Sequence, residues 1–321
     1  MKKFVVSGGA GFIGSHLVDA LISSGAEVIV IDNFSTGSEE NLQSSLDAAS
    51  DRLFVHNLDI CSEEIEKLFA DFKPDAVFHL AGQMNVRNSV ADPVYDADKN
   101  VVGTVNVLES ARRAGCKQVV FASTGGAIYG EQSQFPADEE HQCKAESPYG
   151  ISKRGAELYL EYYARYYDMR CVSLRYANVY GPRQNPKGEA GVIAIFSEKL
   201  FADEKLRVNG DGKQTRDYIY VGNVVSANLA VSQDSKSGFY IYNVGRGEEI
   251  SVLDIVENLQ DLWPEHKPEL GQELSYEHGP TLPGEQMRSV IDSSKLSKEF
   301  SWNPDVDFKE GLAKTLLSYK S

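Results

Sequence analysis

Positive charge is scarce in this chain. Its 321 residues carry 32 Lys and Arg against 47 Asp and Glu, a formal net charge of −15. Such a surface repels a phosphate backbone, and no block of Lys and Arg offsets it, which argues against a nucleic-acid binder. Cysteine is scarce too. Cys61, Cys116, Cys143 and Cys171 are scattered and form no C-x-x-C pair. That is a pattern of reduced thiols, and neither of a disulfide framework nor of a zinc site. The six histidines show no metal-ligand spacing, so no metal is expected. No apolar run approaches the ~20 residues that cross a bilayer, so no membrane partner is expected. The opening MKKFVVSGGAG reaches its glycines after too short an apolar run for a secretory leader. Internal repeats and low-complexity tracts are missing, with LQSSLDAAS (42–50) the nearest to a loose insertion. These absences leave a soluble globular protein expected in the cytoplasm.

What is present begins with a core. A hydrophobic share of 42% over this length can bury a large interior in two lobes. FVVSG (4–8), EVIVID (27–32), LFVHNLD (53–59), AVFHLAG (76–82), QVVFAST (118–124) and CVSLRYANVYG (171–181) read as strands. Helical patterns at 14–24, 62–72, 100–114 and 147–167 lie between them. Near-continuous apolar strands alternating with helices predict an α/β fold whose parallel sheet is covered on both faces. After about residue 180 the texture changes. GPRQNPKGEAG (181–191) reads as a loop, and helices at 192–203, 223–233 and 251–263 follow with fewer strands. FYIYNVG (239–245) is one more buried-looking strand that could return to the first sheet. The expected division is 1–177 with roughly 218–244 as one domain, and 178–217 with 245–321 as the other.

The most specific local signal is VVSGGAGFIGSHLVDAL, in which Gly8, Gly11 and Gly14 follow a strand and open a helix. Glycines there allow a tight turn and let a backbone approach a pyrophosphate at the positive end of the helix. Strand two ends eighteen residues past Gly14, in Asp32. A carboxylate at that place accepts hydrogen bonds from an adenosine ribose and repels a 2′-phosphate, so the expected cofactor is NAD. A second signal is SPYGISKRGAE (147–157), which sets Tyr149 and Lys153 one helical turn apart on one face. A Lys ammonium favours the phenolate and lowers a pKa that starts near about 10. Such a pair can serve as a general base near neutral pH. Taken alone it is equally a surface contact.

The glycine spacing, DNFSTG and the Tyr-x-x-x-Lys pair together resemble the extended short-chain dehydrogenase/reductase family. The similarity is greatest to its NAD-dependent nucleotide-sugar epimerases, the UDP-glucose 4-epimerase group. It runs over nearly the whole chain, through GGAGFIGSHL, DNFSTG, VFHLAG, FASTGGAIYGE, SPYGISK, LRYANVYGPRQ, GDGKQTRDYIYV and NVGRG in the family's order. It implies a Rossmann-type doubly wound parallel sheet with a smaller C-terminal α/β substrate lobe.

The resemblance also implies roles. Gly8, Gly11, Phe12 and Ile13 would hold the pyrophosphate of NAD, with Asp32, Asn33, Ser35, Thr36 and Gly37 around the adenosine ribose. Asp59 and Ile60 would meet the adenine, and Leu80, Ala81 and Gly82 would line the central cofactor path. Asn100 would support the cofactor side of the catalytic helix, and Tyr176 and Val179 would lie beside the nicotinamide. Tyr149 is then the acid/base, and Lys153 lowers its pKa while bonding the nicotinamide ribose. A hydroxyl from the loop after the fifth strand completes the set. That loop is one residue longer than in the common Ser-x-x-x-Tyr-Gly version, which leaves its register open between Thr124, the first choice, and its neighbour Ser123. The implied reaction oxidises a sugar 4-hydroxyl, turns the 4-keto sugar in its pocket and reduces it on the other face. It is redox-neutral, so NAD is regenerated each turn and can stay bound. The UDP-sugar substrate would meet Thr124, Tyr149, Asn178, Gly191, Val192, Asn209 and Arg216, the last through its fork on phosphate oxygens. In LPGEQMRSVID two departures stand out, Leu282 and Met287, where the family often has basic residues. Arg288 is left as the remaining phosphate contact. Ser289 lies at the position that gates the sugar's C2 substituent, and its small side chain should admit an N-acetyl group.

The tyrosines of YLEYYARYYD (159–168) have helical spacing and read either as core packing or as an interface. The family pairs this helix and the 100–114 helix with their copies in a homodimeric four-helix bundle. His79, at a strand end, reads as core packing. Within the family, dehydratases carry an Asp-Glu pair where Gly125 and Gly126 follow Thr124 here, so dehydration lacks its acid. Decarboxylation or 4-epimerisation of UDP-glucuronate remains an alternative. So does a reductase that releases its cofactor. A silent NAD(H)-sensing scaffold is the alternative of another class, and it would be expected to lose Tyr149 or Lys153.

Overall fold

The computed structural model describes residues 1–186, 188, 191–266, 274–281 and 286–319. Six strands follow one another up to residue 176: β1 (Lys3–Ser7), β2 (Glu27–Asp32), β3 (Leu53–Asn57), β4 (Ala76–His79), β5 (Gln118–Thr124) and β6 (Arg170–Tyr176). They form one parallel sheet in the order β6-β5-β4-β1-β2-β3, and the strand Gly238–Val244 joins at the outer edge of β6. FYIYNVG therefore does return to the first sheet. Its strands are apolar almost throughout because helices cover both faces. One face packs on Leu17, Val18 and Leu21 of the first helix (Phe12–Ser23) and on Val224 and Ala227 of Val221–Val231. The other packs on Phe69, Leu108 and Leu160, from helices Glu64–Phe72, Gly103–Arg113 and Pro148–Tyr167.

The chain leaves β1 toward β2 and β3, then crosses back to β4 on the other side of β1. A crevice opens at the carboxyl ends of the strands where the order reverses, the usual ligand position in such sheets. Beyond it a third apolar cluster forms around Phe196, Leu206, Ile255, Leu259, Trp263 and Leu312. Its strands are short. Asn178–Tyr180 pairs with Tyr218–Tyr220, Leu206–Asn209 with Tyr276–Gly279, and Thr215–Arg216 with both Ile250–Ser251 and Arg288–Ser289.

Two expectations change. Residues 42–50 are not a loose insertion: Gln43–Ala49 is a helix, fixed by buried Leu42 and Ala49 and by a Ser45 hydroxyl on the Asp19 carboxylate at 2.5 Å. Helices Val86–Ala91 and Pro93–Ala97 were unforeseen, and both are capped by side chains, Asn85 and Asp92. Both lie beside the crevice.

Candidate active site

The glycine turn after β1 is built by close approach. Gly8 has φ +73°, and a Cβ there would lie 2.6 Å from the Ala81 amide nitrogen. A Cβ at Gly14 would fall onto the Gly8 carbonyl oxygen. Only glycine therefore lets the turn, the end of β4 and the first helix meet. That helix begins at Gly11 with no side-chain cap, so its first N–H groups are open to an anion. Asp32, at the end of β2, accepts from the Ala10 and Phe34 amides, each at 2.9 Å. Burial raises its pKa, and the backbone N–H groups that face it work against that rise. Asp59 is held by Asn33 Nδ2 at 3.0 Å and Lys99 Nζ at 3.2 Å. Burial would raise its pKa, but hydrogen bonds from Cys61, Lys99 and Asn33 outweigh it and keep Asp59 below the usual carboxylate range.

These groups wall a cavity of about 530 Å³. Gly8, Gly11, Phe12, Ile13, Asp32, Asn33, Ser35, Thr36, Asp59, Ile60, Leu80, Ala81, Gly82, Tyr149, Lys153 and Tyr176 line it as expected. Gly37 stands behind the wall, where a Cβ would meet the Ala10 carbonyl carbon at 2.8 Å, so its absence lets the loop close on the turn. Asn100 is 1% exposed and forms a second layer behind Gly82. Val179 lies in the adjoining cavity instead. A side-chain-free anion cradle at one end and a carboxylate at the end of β2 fit the diphosphate and ribose of NAD.

The helix Pro148–Tyr167 opens as its sequence dictates. The Ser147 hydroxyl accepts from the Gly150 amide at 3.2 Å and Pro148 takes the first turn. Tyr149 and Lys153 then share a face, with the Lys153 ammonium 5.9 Å from the Tyr149 ring centre and bonded to the Ala122 carbonyl at 2.9 Å. Lys153 is buried, which pushes its pKa down to about 8 against the fields of Asp96 and Glu157. Glu157, one turn on, is fully buried and accepts from Ser123 Oγ at 2.9 Å, Ser173 Oγ at 2.8 Å and Arg175 at 2.7 Å. Ser123 is thus tied to the catalytic helix, and it lines the first cavity together with Tyr149 and Lys153. Thr124 is the hydroxyl that faces the second cavity, where it also accepts from the Ala127 amide at 3.2 Å. His79 is core, as expected. Its ring bridges Ser7 Oγ at 2.6 Å and Thr104 Oγ1 at 3.0 Å, and burial holds its pKa near about 3.

The second cavity, about 690 Å³, shares Phe12, Ile13, Met84 and Tyr149 with the first. Thr124, Asn178, Val179, Gly191, Val192, Asn209 and Arg216 line it. Arg216 is not held by Asp217, whose buried carboxylate instead accepts from the Arg246 and Gly247 amides. Arg87, Lys199 and Arg207 line the same space, and no carboxylate does among the described residues. Two expected residues lie off the wall. Arg288 turns outward, with Glu249 on its guanidinium at 3.0 Å and the Phe135 ring 3.8 Å beneath it. Ser289 is buried in the short strand beside Arg216. Leu282 lies outside the described residues, and Met287 is exposed. Reasoning from sequence missed Gln83, Met84, Asn85 and Arg87, which the start of helix Val86–Ala91 brings to the two cavities. The Asn85 cap followed by a short polar helix was the available signal.

The comparisons with known proteins agree with this geometry. The family model described as "NAD dependent epimerase/dehydratase family" matches residues 4–245. A UDP-glucose 4-epimerase of Mycolicibacterium smegmatis is 41% identical over 99% of this chain and 99% of its own. The crystal structure of the Thermotoga maritima UDP-glucose 4-epimerase with UDP-glucose superposes with a TM-score of 0.91, at 40% identity over 99% of this chain and 98% of that one. The Thermus thermophilus UDP-glucose 4-epimerase in complex with NAD gives 0.88, at 39% identity over 99% of both chains.

Proposed function

The chain belongs to the NAD dependent epimerase/dehydratase family, and we propose that it inverts C4 of a UDP-hexose, interconverting UDP-glucose and UDP-galactose. One observation carries this reading: Tyr149 stands on the wall of both cavities, where the cofactor cavity meets a cationic pocket that has no carboxylate among its described residues. When bound, NAD supplies the acceptor and the donor of the C4 hydride. Everything else falls to the chain's own residues. Gly8, Gly11 and the open N-terminus of the first helix hold the diphosphate of the cofactor, and Asp32 and Asp59 hold its adenosine end. Arg216, with Arg87, Lys199 and Arg207 around it, holds the diphosphate of the sugar nucleotide.

Tyr149, as phenolate beside the Lys153 ammonium, takes the proton of the sugar 4-hydroxyl and later returns it to the same oxygen. Thr124 steadies that oxygen from the other side. The 4-keto sugar formed between these events turns within a cavity whose wall near Thr124 includes Gly126 and Ala127. Those small residues also leave space for an N-acetyl group at C2, without any part for Ser289, which lies off the wall. Dehydration needs a further acid at the sugar, and none lines the cavity among the described residues.

Purified protein incubated with UDP-galactose, and separately with UDP-GalNAc, tests the reading. Conversion of UDP-galactose to UDP-glucose without added NAD, and without net change in NADH absorbance, is expected. UDP-GalNAc should be epimerised as well. With NAD added, a steady rise in NADH matched by oxidised sugar nucleotide would instead reveal an oxidoreductase that releases its cofactor, and no conversion even with added NAD would sink the assignment.

The second reading concerns assembly. Leu158, Tyr159, Tyr162 and Tyr166 form an exposed aromatic and apolar face on the helix Pro148–Tyr167, flanked by exposed Val94 and Val102. A face of that kind on a soluble enzyme needs a cover. A second copy, pairing this helix and Gly103–Arg113 with their counterparts, supplies it as a four-helix bundle. Sedimentation should give twice the 35.4 kDa chain mass, and a monomer at micromolar concentration would contradict it.

A further inference from the structure

Behind the catalytic helix lies a buried charge that the reaction as described does not use. Asp96, in the helix Pro93–Ala97, is 0% exposed. Its Oδ1 accepts from Gln83 Nε2 at 2.8 Å and from Asn100 Nδ2 at 3.0 Å, while its Oδ2 has no partner. Asn100 sits in a π-helical turn, Asp98–Val102, and donates its second amide hydrogen to the Gln83 carbonyl at 2.9 Å. Two acceptors on the nitrogen side fix which way this amide points. Its buried Oδ1 is left without a partner and faces Gly82. A Cβ at Gly82 would lie 2.5 Å from that oxygen and 3.5 Å from Lys153 Nζ. Carboxylate, amide and ammonium are thus arranged in series across a glycine.

We propose that Asp96 is a positioning residue for the epimerase reaction: its carboxylate, acting through the Asn100 amide, holds Lys153 in the ammonium form that keeps Tyr149 a phenolate. This rests on the catalytic reading above. Of the carboxylates on this helix and on the elements packed around it, Asp96 is the one without a cationic partner among the described residues, Glu161 being paired with Arg165. Glu157, on that helix, is saturated by Arg175, Ser123 and Ser173. Asp98 pairs with Lys99 at 3.0 Å, Glu109 with Arg112 at 2.6 Å and Arg170 with Asp234 at 2.9 Å. Arg87 lines the substrate cavity, and His79 is held neutral by burial. Burial drives Lys153 toward its uncharged form, and among the groups that resist this, Asp96 acts more strongly than Glu157. An ammonium with one carbonyl partner needs such an anion.

Asp96→Asn keeps the shape and removes the charge. Lys153 should then lose its proton at lower pH, so the pH above which kcat declines should fall by about one unit, with KM for UDP-galactose unchanged. Asp96→Glu, which keeps the charge, should hold that limb near its original position. An alkaline limb that stays put in Asp96→Asn, or that moves equally in both variants, would overturn the proposal. A second measurement needs no turnover. In the full chain with NAD added, Asp96→Asn should lower Tm where Lys153 is present. In a Lys153→Met background, where Asp96 is an uncompensated buried carboxylate, the same change should raise Tm by a few degrees. A change of the same sign in both backgrounds would refute the coupling whatever the enzyme's substrate proves to be.

Discussion

The two cavities that meet at Tyr149 are made of different materials. The cofactor cavity is walled by backbone and by the ends of consecutive parallel strands, and its carboxylates are fastened to main-chain amides, Asp32 to Ala10 and Phe34, Asp59 to Cys61. The substrate cavity is walled by side chains drawn from separate segments, with Arg87, Lys199, Arg207 and Arg216 converging from four elements or loops. In a chain of net charge −15, a wall of four cations without a described carboxylate marks a place reserved for anions. One side grips a constant ligand with fixed geometry. The other can change its ligand by changing side chains alone, and that is how one fold serves several nucleotide sugars.

The comparison breaks first, and most, at Gly14. A methyl group there would fall onto the Gly8 carbonyl oxygen, and backbone cannot move aside as a flexible side chain does. Gly14→Ala should therefore release bound NAD and reduce activity without added cofactor about a hundred-fold, the factor matching roughly 3 kcal/mol of overpacking. Absorbance of the purified variant and its activity with and without NAD check this. Retention of full cofactor would show that the turn is more pliant than its contacts suggest.

The same contrast explains what could be read from sequence. The cofactor side was legible because its residues lie close together in the chain, as a strand, three glycines, a helix and an acid at the next strand end, and each step has a local physical reason. Tyr149 and Lys153 were legible because one helical turn joins them. Thr124 and Ser123 could not be ranked by spacing, since both end β5, and the contact that ties Ser123 to Glu157 crosses from strand to helix, which no local pattern displays. The substrate side was read less well. Arg216, Asn209 and Asn178 reached the wall, but Arg288 turned to Glu249 and Ser289 lies behind it. Strands of two residues, such as Thr215–Arg216 and Arg288–Ser289, are too short for the alternation of faces to show. Arg87 was invisible for a related reason: a six-residue helix has too few turns to display a period, and only tertiary packing aims it.

The smaller effect belongs at Arg216. Its guanidinium donates to its own Thr215 carbonyl at 2.8 Å and otherwise faces the cavity. It takes part in neither the fastening of the cofactor nor the proton transfer at Tyr149. A charge-assisted bond to a diphosphate contributes about 1.5–3 kcal/mol, or roughly ten- to a hundred-fold in binding. Because the diphosphate is held alike before and during the reaction, that loss should appear in KM for UDP-galactose and leave kcat nearly unchanged. NAD content and Tm should match those of the unaltered enzyme. A fall in kcat with KM constant would mean that Arg216 senses the reacting sugar and not its anchor, and the separation between the two cavities would then be less complete than their walls indicate. The other cations on that wall, Arg87, Lys199 and Arg207, set the size of the effect: the more of the anion they already carry, the nearer the result lies to ten-fold.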